Sequence, residues 1–257
     1  MDVLLQVEDV SKRFQRKDRE IQALSHVSFQ IETGQCMGLI GESGSGKSTL
    51  AGILAGFQKA DVGRVVFMGK DLLDAKGRTW KNRQYMQMVF QNPKSSLNPR
   101  MKIRQNLTEA IRYYPDTSIE NTQARCREVM GLVELPEAYL EKYPGEISGG
   151  ECQRVSIARA IMRRTEFLIC DEITSALDVS VQEKIVELLK NLQREYQMGL
   201  LFISHDIALV GSLCSHILVL KEGRIVESGE TREVVHAPKD VYTKHLLDSV
   251  IRIEQEE

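Results

Sequence analysis

Along the first third of the chain, apolar and polar positions alternate or gather into short runs that end at turn residues. "LLQVEDV" and "HVSFQIETG" fit half-buried strands, "QCMGLIG" is a short apolar run closed by glycine, and "GRVVFMGKDL" reads as one further strand. Between Gly46 and Phe57 the period changes. Leu50, Ile53, Leu54 and Phe57 stand at i, i+3, i+4 and i+7, so a helix directly follows a strand and a glycine-rich loop.

From Pro93 to about Ala160 the strand pattern disappears. "RQNLTEAIRYY" and "TQARCREVMGLVEL" carry helical spacing, interrupted by Pro115, Pro136 and Pro144, which predicts a helical insertion. After it, the apolar runs "EFLICDE" and "MGLLFISHD" flank the amphipathic "VQEKIVELLKNLQREY", a β-α-β unit. "HILVLKEGRIVESG" predicts a hairpin turning at Glu222-Gly223, and the charged "RIEQEE" is expected to fray. The expected fold class is α/β. Residues 1–92 and 161–235 form the core with its β-rich part, 93–160 the helical insertion, and 236–257 a short C-terminal segment.

Bulk properties narrow the function classes. The chain has 257 residues, 42% hydrophobic and 27% charged, enough for one large domain, and its net charge of −2 gives no bulk-charge reason to expect nucleic acid or an anionic membrane surface. Cys36, Cys126, Cys152, Cys170 and Cys214 are widely spaced without a C-x-x-C pair, so neither a zinc site nor a disulfide framework is suggested. "MDVLLQVEDV" carries an acid at position 2 and then a strand pattern, unlike a signal peptide, and no apolar run approaches the ~18 residues of a membrane helix. The expectation is a cytosolic chain whose membrane role, if it has one, comes through a partner.

The first chemistry-bearing motif is "GESGSGKS", which fits G-x-x-x-x-G-K-[ST] between an apolar strand and a helix. Gly41, Gly44 and Gly46 let the backbone curl so that its amides, with those of Glu42, Ser43 and Ser45, point at phosphate oxygens. The helix N-terminus adds a favourable dipole, Lys47 reaches the β- and γ-phosphates, Ser48 can ligate Mg²⁺, and Thr49 follows at the helix start. Nucleotide binding is the reading of this loop.

Asp171 and Glu172 close the apolar strand "FLICDE", where open α/β sheets bind ligands. Neighbouring strand residues point to opposite sides, so the two acids take different tasks: Asp171 in the Mg²⁺ shell, Glu172 polarising a water for attack on the γ-phosphate. Taken alone, both are equally well solvated strand-end acids. His205 closes "LLFISHD" and Gln91 closes "MVFQ". By itself the histidine reads as structural and the glutamine as a turn residue; beside Lys47 and Glu172, His205 can bond the γ-phosphate and Gln91 can meet both Mg²⁺ and the attacking water.

"ISGGECQR", residues 147–154, places Gly149 and Gly150 at the start of the amphipathic "VSIARAIM" without a lysine of its own. Ser148 and Glu151 fit the capping box S-x-x-E, a sufficient local reason for both residues.

The ordered set of phosphate loop, Gln91, "ISGGE", "FLICDE", "SALD" at 175–178 and His205 resembles the ATP-binding-cassette ATPases over essentially the whole chain. The resemblance implies a RecA-like core, an N-terminal antiparallel β-subdomain and a helical subdomain. It implies a head-to-tail pair of ATPases in which Ser148, Gly149, Gly150 and Glu151 meet the γ-phosphate of ATP held by the other subunit. It also places an adenine-stacking role on Phe14 of "SKRFQR", for which simple packing is an equal reading. Glu151 stands where the family commonly has glutamine. "QNPKSSLNPRMKI", "YPGEISGGECQRVSIARAI" and "HAPKDVYTKHLL" are similar to the oligopeptide, dipeptide and nickel importer group. The short C-terminal segment leans toward nickel or metal-chelate members. The implied assembly contains a paralogous ATPase subunit, two transmembrane permeases and an extracytoplasmic substrate-binding protein, at the cytoplasmic face of the membrane. The implied alternative is an accessory ATPase of a phosphonate-lyase-type complex.

Overall fold

The computed structural model describes residues 2–16, 19–72, 84–112 and 119–253. Pro115, expected to break the helical insertion, and the last four residues of the charged tail lie outside them.

Two sheets organise the chain. The smaller is antiparallel, in the order β2-β1-β4-β5, from β1 (Val3–Arg16), β2 (Arg19–Glu32), β4 (Val62–Phe67) and β5 (Lys70–Asp71). "GRVVFMGKDL" is therefore a tight hairpin and not one strand: Met68 and Gly69 take φ of 51° and 72° and reverse the chain, so that Phe67 pairs with Lys70.

The larger sheet runs β10-β9-β3-β8-β7-β6, from β3 (Cys36–Ile40), β6 (Met86–Val89), β7 (Phe167–Asp171), β8 (Gly199–Ile203), β9 (His216–Lys221) and β10 (Arg224–Glu230). All neighbours pair in parallel except β9 and β10, the hairpin expected from the sequence, whose Glu222 and Gly223 have φ of 47° and 76°. Parallel pairing sends the C-terminal ends of β3, β8, β7 and β6 to one edge. The residues following them are the phosphate loop, His205, Glu172 and Gln91.

The central strands are continuous apolar runs because both faces are covered. Met37 and Leu39 of β3, Phe167 and Ile169 of β7, and Leu201 and Ile203 of β8 join one core with α1 (Lys47–Ala55) and the antiparallel sheet. Cys36, Ile40, Leu168, Cys170, Leu200 and Phe202 join the other, under the helices. Each such Leu, Ile, Met or Phe side chain, when fully buried, contributes roughly 1.5–3 kcal/mol. All five cysteines are buried and unbridged.

Helix α1 stops earlier than its pattern implied. Gly56 adopts φ 83°, the amides of Gly56 and Phe57 return to Ile53 O and Gly52 O, and Phe57 leaves the helix, 67% exposed, instead of extending its apolar face. Beyond β6 come α2 (Pro93–Ser96), α3 (Ile103–Glu109), α4 (Ile119–Leu132), two short 3₁₀ turns and α5 (Gly149–Ile161). Then α6 (Val179–Tyr196) joins β7 to β8, burying Ile185, Val186, Leu188, Leu189 and Leu192 along one face, and Asp178 caps it by accepting from Val181 N. The chain closes with α7 (Ile207–Leu213), α8 (Thr231–His236) and α9 (Val241–Ile253).

Candidate functional site

Gly41, Gly44 and Gly46 take φ of 149°, 81° and 111°, and two of them also lack room for a side chain. A Cβ on Gly41 would sit 2.1 Å from Leu220 O, and one on Gly46 2.5 Å from Ala23 O. Ser45 N–H donates to Glu42 O at 3.2 Å, while the buried Ser45 Oγ has no partner among the described residues. Lys47 is 5% exposed, and its ammonium donates to Gly41 O at 2.6 Å and Glu42 O at 2.8 Å. Burial pushes the Lys47 pKa down, opposed by the carboxylates of Glu172, Asp171 and Glu42. This is a curled loop with a nearly buried cation and an unpaired hydroxyl at a helix start, a donor set that fits a polyphosphate. Ser43 and Gly44 stand exposed at its rim, and Thr49 is partly buried in the first turn of α1.

Ser48 Oγ faces Asp171 Oδ1 at 3.5 Å, the pair through which a divalent cation could be held. Burial raises the Asp171 pKa, and the neighbouring Glu172 charge raises it further; the Ser48 contact and Lys47 work against them. Glu172 leaves the strand with φ 48°, its N–H donating to Ile203 O at 3.0 Å. The two acids therefore diverge through a left-handed residue and not through strand alternation alone. Gln91 Nε2 donates to Glu172 Oε2 at 3.1 Å and to Ser175 Oγ at 3.2 Å, joining the end of β6 to the end of β7. The bond ties the glutamine at the edge of the helical part to the carboxylate read as the water-polarising group.

His205 follows β8 at the same edge, but its ring is exposed and makes no hydrogen bond to Glu172 or any other described residue. Phe14, on β1 opposite Ile21, is 38% exposed with Lys12 Nζ 5.5 Å from its ring centroid. One ring face already meets a cation.

Ser148 caps α5. Its Oγ accepts from Glu151 N at 3.3 Å, and Glu151 Oε2 accepts from Ser148 N at 2.7 Å, the reciprocal capping box. Glu151 Oε1 accepts from the Tyr139 hydroxyl at 2.9 Å, and Lys142 Nζ lies 3.7 Å from the Tyr139 ring centroid. The Ser148 amide, opposed by desolvation and helped by the hydroxyls of Ser148 and Tyr139 and by Lys142, holds the Glu151 carboxyl below the usual carboxylate range. A Cβ on Gly150 would lie 2.6 Å from Val181 Cγ1 at the start of α6, whereas Gly149 has space. Sequence reading did not assign Tyr139, Ser175 or Tyr242, whose hydroxyl accepts from Glu42 N at 2.9 Å. Ser175 lies in the quoted "SALD"; nothing in the local pattern marks the tyrosines.

Comparison with known proteins follows the same lines. A family model described as "ABC transporter" matches residues 24–175, more than half of the chain. The chain belongs to the ABC transporter family. It is an ATPase cassette, turning ATP and water into ADP and phosphate. It is 41% identical to the oligopeptide transport ATP-binding protein OppF of Salmonella typhimurium, over 96% of this chain and 78% of that one. It is 40% identical to OppF of Escherichia coli over the same shares. Among solved structures, the dimeric cassette MJ0796 bound to ADP and Pi superposes with TM-score 0.80 at 30% identity, covering 89% of this chain and 99% of that one. CbiO1 of Clostridium perfringens, part of the complex CbiONQ, superposes with TM-score 0.82 at 27% identity, covering the whole of both chains. No helix among the described residues is long and apolar enough to cross a membrane.

Proposed function

We propose that this chain is the ATP-hydrolysing subunit of a peptide importer, working at the cytoplasmic face of the membrane as a head-to-tail dimer with a paralogous ATPase, on two permeases fed by an extracytoplasmic binding protein. Peptide is preferred to nickel or metal chelates because the relatives above carry oligopeptide-transport names at about 40% identity over nearly the whole chain. The same names favour transport over an accessory role in a phosphonate-lyase-type complex.

In this reading the phosphate loop and Lys47 hold the triphosphate, and Glu172 polarises the attacking water. Gln91 bonds that carboxylate, so a displacement of Gln91 at the boundary of the helical part alters the catalytic group directly. Ser48, Asp171 and Gln91 would hold Mg²⁺, which would supply charge neutralisation on the phosphates. His205 reaches the γ-phosphate when the dimer closes, Phe14 stacks on adenine, and Ser148 and the Gly149 and Gly150 amides receive the partner's γ-phosphate.

The observation that carries the transport reading is an exposed aromatic pair beside a groove. Phe57 and Phe90 stand 5.6 Å apart, 67% and 39% exposed, beside a groove of ≈ 290 Å³ whose lining includes Met88, Ser156 and Arg159. Its lining reaches Phe90, the residue before Gln91 in the chain. A short cytoplasmic helix of a permease is the occupant: its apolar residues meet the aromatics and Arg159 meets its polar rim. The test is co-expression with the permeases and second ATPase encoded beside it, followed by ATP-driven uptake into vesicles. Peptide uptake is expected, and Phe57→Glu is expected to release the chain from membranes while leaving ATP binding intact. Membrane association that survives Phe57→Glu removes the groove, and uptake of nickel without peptide removes the cargo.

A further inference from the structure

The peptide unit joining Gly41 to Glu42 is held at both polar ends. Its carbonyl accepts from Lys47 Nζ at 2.6 Å, and its amide donates to the Tyr242 hydroxyl at 2.9 Å. A trans peptide is planar, with C=O and N–H pointing in opposite directions, so fixing one end fixes the other.

Tyr242 is the second residue of α9, only 9% exposed, and Lys221 Nζ lies 4.8 Å from its ring centroid. The start of α9 is fastened independently. Glu227 on β10 accepts from Lys239 N at 2.8 Å and Asp240 N at 3.1 Å, and the Asp240 carboxylate accepts from Tyr242 N at 2.8 Å. The end of β9 touches both partners, since the carbonyl of Leu220 crowds Gly41 and the side chain of Lys221 covers the tyrosine.

We propose that Tyr242 is a positioning residue for the phosphate loop: its hydroxyl, accepting from the Glu42 amide, orients the Gly41–Glu42 peptide so that the Gly41 carbonyl faces the Lys47 ammonium, and the C-terminal segment thereby sets the affinity for nucleoside triphosphate. Gly41 has no Cβ to resist rotation of this peptide, so its order rests on its two hydrogen bonds, one from Lys47 within the loop and one to Tyr242 outside it. Without the hydroxyl the ordering cost falls on nucleotide binding. Tyr242 acts through the Glu42 backbone. The proposal rests on the ATPase reading of the loop and is independent of the cargo.

The experiment is Tyr242→Phe in the full chain, which keeps the ring and removes the hydroxyl. The Kd for ATP is expected to rise by about 3- to 10-fold, the loss of one hydrogen bond. Saturated turnover should stay within about twofold, and amide exchange at Glu42 should accelerate while α9 keeps its protection. An unchanged Kd, or a raised Kd with unchanged Glu42 exchange, overturns the proposal. Glu227→Gln weakens the anchor of α9 but retains the hydroxyl. If it weakens ATP binding as much as Tyr242→Phe does while amide exchange at Glu42 stays at the wild-type rate, α9 acts only as a packing element and the proposal also fails. ATP binding by the unmodified chain is the reference: its absence would sink the phosphate-loop reading itself.

Discussion

The two glycine turns at the starts of α1 and α5 look alike in sequence and are built for different physical reasons. In the phosphate loop, glycine is needed for backbone conformation, with φ of 149°, 81° and 111° at Gly41, Gly44 and Gly46, and a nearly buried lysine completes an anion site within one chain. In the 148–151 turn the glycines are ordinary helical residues. Gly150 is needed because a Cβ would strike Val181, and the carboxylate of Glu151 accepts from the Ser148 amide in the same turn. One turn is self-sufficient for a polyphosphate; the other offers a helix N-terminus and a hydroxyl with a negative charge beside them. A surface of the second kind becomes useful when the phosphate and its lysine come from another molecule.

The contrast can be broken most severely at Glu172. Glu172→Gln keeps the shape and a carbonyl acceptor for Gln91 but removes the carboxylate proposed to polarise the water. Hydrolysis is expected to fall by about 100-fold or more, with nucleotide binding retained. Wild-type phosphate release by this variant would remove Glu172 from the chemistry. Lys47→Ala comes next. Loss of a charge-assisted contact to phosphate should weaken ATP binding by roughly 10- to 100-fold in a fluorescent-nucleotide titration, and normal binding would show that the loop is not self-sufficient after all.

Much of this contrast was legible in the residues. Local signals, such as the strand-loop-helix context of "GESGSGKS", the S-x-x-E box at 148–151 and the Glu222-Gly223 turn, involve neighbours a few positions apart and reappear as read. The misreadings share a cause: positive-φ residues that interrupt a good pattern. Met68 and Gly69 split one expected strand into a hairpin, Gly56 turns Phe57 out of its helix, and Glu172 departs from strand alternation. The contacts between distant segments had no signal in the chain, because nothing local marks Tyr242 as the partner of Glu42 or Tyr139 as the partner of Glu151.

Glu151 gives the smallest and most discriminating test. Its carboxylate would repel a partner's γ-phosphate if it pointed outward, yet both its oxygens are occupied, one by the Ser148 amide and the other by the Tyr139 hydroxyl. Glutamine can serve the same capping box, so Glu151→Gln should cost less than about 0.5 kcal/mol of stability at neutral pH. The pH dependence distinguishes the two side chains. A carboxyl whose pKa is lowered on folding contributes its full stabilisation above the ordinary glutamate range, near pH ~4.3, and loses it as pH falls through the lowered value. The wild-type chain should therefore lose stability over that acid window by an increment the glutamine variant lacks, as read from thermal unfolding at stepped pH. In a Glu172→Gln background, where ATP persists, Glu151→Gln should leave ATP-driven dimerisation equal to wild type or tighter by up to about tenfold, measured by sedimentation. Clearly weaker closure would mean that the carboxylate itself serves the composite site, and the turn would then not be a negatively charged half-site tuned down by its own cap.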